Sequence, residues 1–239
     1  MKKHIALATL TVASLMMTAG LVSAATISTP TYSPGTTWNV YKVEAWWTTG
    51  YTMDGIEVKA TFSNQTSETD AWTGGSGASG SGWSLTMLVA NGYNGYSENT
   101  WWDSTYWILS NTSGQTLTSL EINGKPGNTV FDVILEDSTA TDFHTPGSFD
   151  GRTPVTDGNS ALGVNVDVMY SNRVTLNGQF YDDLYQTVTF NFSGGLASGQ
   201  SFWFALDTDN VNPVPEPATM LLFGIGAMGI AAIRKRKTV

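Results

Sequence analysis

An all-β fold is what this 239-residue sequence predicts for its central part, and three observations predict it. Short runs such as 56–62 and 187–192 alternate apolar and polar residues with a period of two, the pattern of a half-buried strand. Turn-forming pairs separate the runs: Asp54-Gly55, Asn123-Gly124, Pro126-Gly127, Asp157-Gly158 and Asn177-Gly178. No window of 11 residues between 25 and 212 carries a convincing 3.6-residue period. The expected architecture is a single antiparallel β-sandwich, jelly-roll-like, over residues 25–212. An N-terminal signal peptide and a C-terminal transmembrane helix flank it.

In chain order, Lys2, Lys3 and His4 form a positive start, and residues 5–17 an apolar stretch of signal-peptide length. Val22-Ser23-Ala24 supplies the small residues of a cleavage site, so residues 1–24 are expected to be removed, with Ala25 as the second choice of site. Strands are expected at 38–45, 56–62, 83–89, 106–110, 116–122, 129–135, 162–170, 173–176, 187–192 and 201–207. Residues 73–82 contain only Gly, Ser, Ala and Thr; with no side chain able to bury useful apolar area, they read as a flexible loop.

Composition excludes several chemistries. The chain has no cysteine, which removes disulfides, zinc thiolates and thiol catalysis together. Residues 25–212 hold five basic and nineteen acidic side chains, a net charge of −14. So acidic a surface opposes nucleic acid, whose affinity comes from neutralised phosphates, and permits divalent cations and neutral glycans. His144 is the one histidine in this part, in a loop of Thr, Pro and Gly, and no GxSxG nucleophile motif accompanies it. A pair of carboxylates across a cleft would suit a glycan hydrolase, but nineteen acids nominate no particular pair. The chain is therefore expected not to be an enzyme.

Two stretches suit ligands. Asp207, Asp209 and Asn210 put oxygen donors after a strand, a fragment of a calcium shell that acids such as Asp132 or Asp150 would have to complete from distant loops. The same residues also read as a polar linker. Nine tryptophans include the adjacent pairs Trp46-Trp47 and Trp101-Trp102. Tryptophan as core filler accounts for most of them. Tyr93, Tyr96, Trp101 and Trp102 form the stretch best suited to stack on a sugar ring.

At the C-terminus, Gly224, Gly226 and Gly229 match the GxGxxG spacing of a dinucleotide loop, but prolines precede them and no acidic residue follows. Residues 218–233 are instead an uncharged run of 16, about 24 Å as a helix against a bilayer core of roughly 30 Å. Arg234, Lys235, Arg236 and Lys237 then mark the cytoplasmic side. Val214-Pro215-Glu216-Pro217, the apolar run and the basic tail together resemble the PEP-CTERM sorting signal. That resemblance covers residues 213–239. It implies export, a membrane anchor before processing, cleavage near Pro-Glu-Pro by an exosortase-type protease, and association with extracellular polysaccharide or biofilm matrix. The expectation is a non-enzymatic exported protein of the cell surface or extracellular matrix, with a structural or matrix-interaction role. A carbohydrate-binding module is the alternative, and a glycan hydrolase a more distant one.

Overall fold

A computed structural model describes residues 25–44, 48–88, 106–133, 145–148, 151, 153–156, 160–161 and 163–213, and these are all-β with two short 3₁₀ turns. Residues 1–24 and 214–239, expected as signal peptide and sorting segment, lie outside the described residues. So does the expected transmembrane helix 218–233. Among the described residues no helix is long and apolar enough to cross a membrane.

The strands are β1 (Thr26–Ile27), β2 (Thr31–Glu44), β3 (Glu57–Phe62), β4 (Ser67–Ala71), β5 (Ala78–Gly80), β6 (Trp83–Met87) and β7 (Trp107–Asn111). They continue with β8 (Leu117–Asn123), β9 (Thr129–Asp132), β10 (Val155–Thr156), β11 (Asn165–Leu176), β12 (Leu184–Leu196), β13 (Ser201–Ala205) and β14 (Asp207–Pro213). One sheet has the order β1-β11-β2-β14-β9-β12-β8-β3-β4, the other β10-β13-β7-β6-β5.

The alternating runs form strands because one face of each has apolar partners at matching register. In the larger sheet Val58 stands opposite Ile122, Ile122 opposite Val188, and Val188 opposite Tyr170. The next row is Ala60, Leu120, Phe190 and Val168. All eight are buried, and the smaller sheet contributes Trp83, Leu85, Trp107, Leu109, Phe202 and Phe204 to the same core cluster. Phe190 meets Phe204 with ring centroids 4.5 Å apart, a contact that ties the two sheets together.

The expected single antiparallel sandwich is not the form taken at the centre. The long strand β12 pairs with β11 along one edge and with β9, then β8, along the other. With β9–β14, β14–β2 and β2–β11 also paired, β2, β14, β9, β12 and β11 close a five-stranded ring. β11 runs parallel to both β1 and β2. Period-two patterning assigns a strand its faces but leaves its partners open, and closure depends on the partners. Each ring strand supplies a second cluster: Trp38, Val40 and Val43 from β2, Val174 and Leu176 from β11, Val130, Leu184 and Val211 from the other three. This cluster is the ring's interior.

Three local expectations also change. The runs 162–170 and 173–176 are one strand, β11, with a register irregularity between Ser171 and Arg173 where Asn172 takes φ +63°. Residues 73–82 are not a loose loop, since Gly77 is pressed against the backbone of Leu85 and Ala78 is buried in the core. Residues 207–213, expected as polar linker beyond Asp207, are β14, a strand with neighbours on both edges.

Candidate carboxylate site at the end of the strand ring

The register of β9 and β14 creates the site. Asp132 stands opposite Asp207, and Val130 opposite Asp209. Side chains alternate along a strand, so Asp132, Asp207 and Asp209 share the face of Val130 and Val211, whose side chains pack inside the ring. Leu184 of β12 is the other neighbour of Asp132. The end of β9 and the start of β14 thus carry acids where apolar side chains fill the next layer. Asp132, Asp207 and Asp209 are 1%, 4% and 3% exposed, and Asp183, just before β12, is 3% exposed.

A turn closes this end of the ring. The Ser148 amide donates to the Thr145 carbonyl at 2.9 Å, Pro146 follows Thr145, and Gly147 has φ +97°, the pattern of a type II turn. A Cβ on Gly147 would lie 2.7 Å from the Val43 carbonyl oxygen, so only glycine lets the turn lie flat on β2. The turn delivers two hydroxyls. Thr145 donates to Asp183 from its amide and from Oγ1, each at 2.6 Å. Ser148 Oγ touches Oδ2 of Asp132 and, at 2.6 Å, Oδ2 of Asp209. The other oxygen of Asp132, Oδ1, is buried without a hydrogen-bond partner and faces Gly151, where a Cβ would come within 2.4 Å of it.

Burial pushes the Asp132 carboxyl well above the ordinary range, and the charges of Asp209, Asp207 and Asp183 push it further. Asp209 is pushed up to about 7, chiefly by burial and further by Asp183, against the opposing hydrogen bond from Ser148. Ser148 exposes the consequence. A hydroxyl carries one proton, yet this one lies within hydrogen-bond reach of two carboxylates. One contact needs a proton on an aspartate. The arrangement can therefore hold a proton. Among the described residues no group of three or more His, Cys, Asp or Glu is placed to hold a metal ion.

Of the sequence-expected ligands, Asp207 and Asp209 come together with Asp132. Asn210 does not, because the alternation of β14 turns it to the opposite face. Asp150 and His144 lie outside the described residues, as do Trp46, Trp47, Tyr93, Tyr96, Trp101 and Trp102. The sorting motif Val214, Pro215, Glu216 and Pro217 and the basic residues Arg234, Lys235, Arg236 and Lys237 lie outside them too. Among the described tryptophans, Trp38, Trp72, Trp83 and Trp107 are buried, and Trp203 is half-buried. Sequence reasoning missed Ser148, Thr145 and Asp183. The Pro146-Gly147 pair between two hydroxyl residues was the signal for the turn that carries the first two.

Residues 213–237 match the PEP-CTERM protein-sorting motif. No curated protein matches the chain, and no solved structure does. The motif implies an exported protein sorted by exosortase, a membrane protease, with a membrane anchor before processing.

Proposed function

We propose that the chain is a surface or extracellular-matrix protein whose all-β body acts by structure and contact rather than by catalysis. One observation carries this: the sorting motif begins at Pro213, the last residue of β14. The folded body ends where the signal begins, so a cut near Pro215–Glu216–Pro217 would release every strand of the ring intact. The burial of Asp132, Asp183, Asp207 and Asp209 supports a non-catalytic role, since a polymer cannot reach carboxylates 1–4% exposed. Mass spectrometry of C-terminal peptides from membrane and extracellular fractions tests the proposal. A terminus near Pro215–Pro217 on extracellular protein is expected. Intact Val239, confined to the membrane fraction, would sink processing and leave a permanently tethered protein.

The alternative, a carbohydrate-binding module, rests on Tyr93, Tyr96, Trp101 and Trp102. It predicts a tryptophan emission shift on titration with polysaccharide, abolished in a Trp101→Ala, Trp102→Ala double variant.

A further inference from the structure

We propose that, before processing, the surface where β14 ends lies on the phosphate headgroups of the outer leaflet, with Tyr41, Lys42 and Lys125 as its contacts. The membrane anchor that the sorting motif implies is its premise. Covalent geometry supplies the first observation. Pro213, the last residue of β14, is still paired with Val40 of β2. Four residues separate it from Ala218, where the uncharged run begins. Fully extended, that stretch reaches at most about 18 Å, and crossing the headgroup layer takes up about 5–8 Å of it. A folded body of 188 residues has a radius of gyration of about 16 Å. The tether is shorter than the body is wide, so the end of β14 is held against the membrane.

The second observation is what surrounds that end. The β14–β2 register steps from Asn212 opposite Lys42 to Pro213 opposite Val40, which leaves Tyr41 as the extra residue of a bulge. Val40 and Val43 point into the ring, and Tyr41 and Lys42 both turn outward, Tyr41 with 51% of its surface exposed. The turn Lys125–Gly127 brings a second cation, because Asn128 just after it accepts from the Val211 amide at 2.8 Å. The Lys125 ammonium lies 5.9 Å from the centre of the Trp38 ring. Two of the four described cations of a body carrying −14 thus stand beside the exit of the chain. A bilayer surface suits this set. Tyrosine sits at headgroup level with its ring toward the acyl chains. Lysine binds phosphate as a point charge, and Lys42 keeps two ammonium hydrogens beyond the one given to Glu44. An anionic leaflet repels the acidic remainder of the body, so charge selects this face.

The chain has no cysteine, so one introduced thiol takes one label. Full-length protein carrying Tyr41→Cys or Thr69→Cys is labelled with the apolar fluorophore NBD and placed in nanodiscs of phosphatidylethanolamine and phosphatidylglycerol. Thr69, exposed on the edge strand β4, is the control. The label at position 41 should emit at shorter wavelength and react with aqueous dithionite several-fold more slowly than the label at position 69. Exchanging phosphatidylglycerol for phosphatidylcholine should bring the two rates together, and so should adding Lys42→Glu and Lys125→Glu. Equal rates in the anionic discs would overturn the docking face. Protection that survives both changes would overturn the role given to the lysines and leave the short tether alone responsible. A chain that fails to co-elute with the discs would sink the anchor itself and the docking face with it, a failure seen before either label is read.

Discussion

Single side chains that end or bend strands carry much of the specificity. Asn111, fully buried at the end of β7, donates from Nδ2 to the carbonyls of Gln115 and Leu196, each at 2.8 Å, and accepts from the amide and hydroxyl of Ser113. Leucine there would strand those buried carbonyls, so Asn111→Leu should cost about 2–4 kcal/mol in urea unfolding. Glycines separate two effects. Gly77 has φ +84° and a Cβ there would lie 2.1 Å from the Leu85 carbonyl oxygen, whereas Gly114 has φ +76° with nothing within 4 Å. Gly114→Ala should cost about 1 kcal/mol, the left-handed strain alone, and Gly77→Ala about 3 kcal/mol or more. The acids give a pH dependence in the cation-free protein. Asp209 is raised from 3.8 to about 7 on folding, and Asp132 is raised as well. The folded state therefore binds more protons than the unfolded chain between about pH 4 and 7. With EDTA present, stability should be greatest at the acid end of that window and fall as pH rises through 7. Melting curves at half-unit intervals check the sign.

Among the elements, β14 is decisive, and it shows where sequence reasoning stops. It lies between β2 and β9 and completes the ring. A chain ending at Leu206 should fail to fold, while one ending at Pro213 should melt within a degree or two of the full chain; circular dichroism of the two truncations decides. Strands such as β3, β6 and β13 were legible because one face is apolar and the other wet, as in Val58, Ala60 and Phe62 against Glu57 and Lys59. β14 was not, because its interior face reads Asp207, Asp209, Val211, and two acids look like a loop. What makes it a strand is pairing with β9 and β2, about 80 and 170 residues away in sequence, and local patterning carries no record of such partners. The candidate site was half legible for the same reason. Asp207 and Asp209 announced oxygen donors and Asp132 was named as a distant contributor, but what brings Asp132 and Ser148 to them is register and a turn.

At the scale of the whole molecule, charge constrains what an exported protein of this kind can touch. The body between residues 25 and 212 carries −14, and its described cations are four: Lys42, Lys59, Lys125 and Arg173. Lys42 is already paired with Glu44. Such a field repels a polyanionic glycan at distances up to a Debye length, about 8 Å at physiological salt, and leaves a neutral glycan free to stack on aromatic side chains. If the body meets polysaccharide through Tyr93, Tyr96, Trp101 and Trp102, binding should follow charge. Acrylamide quenching provides the readout. Trp38, Trp72, Trp83 and Trp107 are 0–6% exposed and should stay protected throughout, so any change must come from the other tryptophans. A neutral polysaccharide should reduce the quenchable fraction, and the effect should be nearly independent of salt. A uronic-acid polymer should do so only at high salt or with millimolar calcium. Strong, cation-independent binding of the acidic polymer would instead require a local basic surface that overrides the net charge, and the aromatic contact would then lose its support.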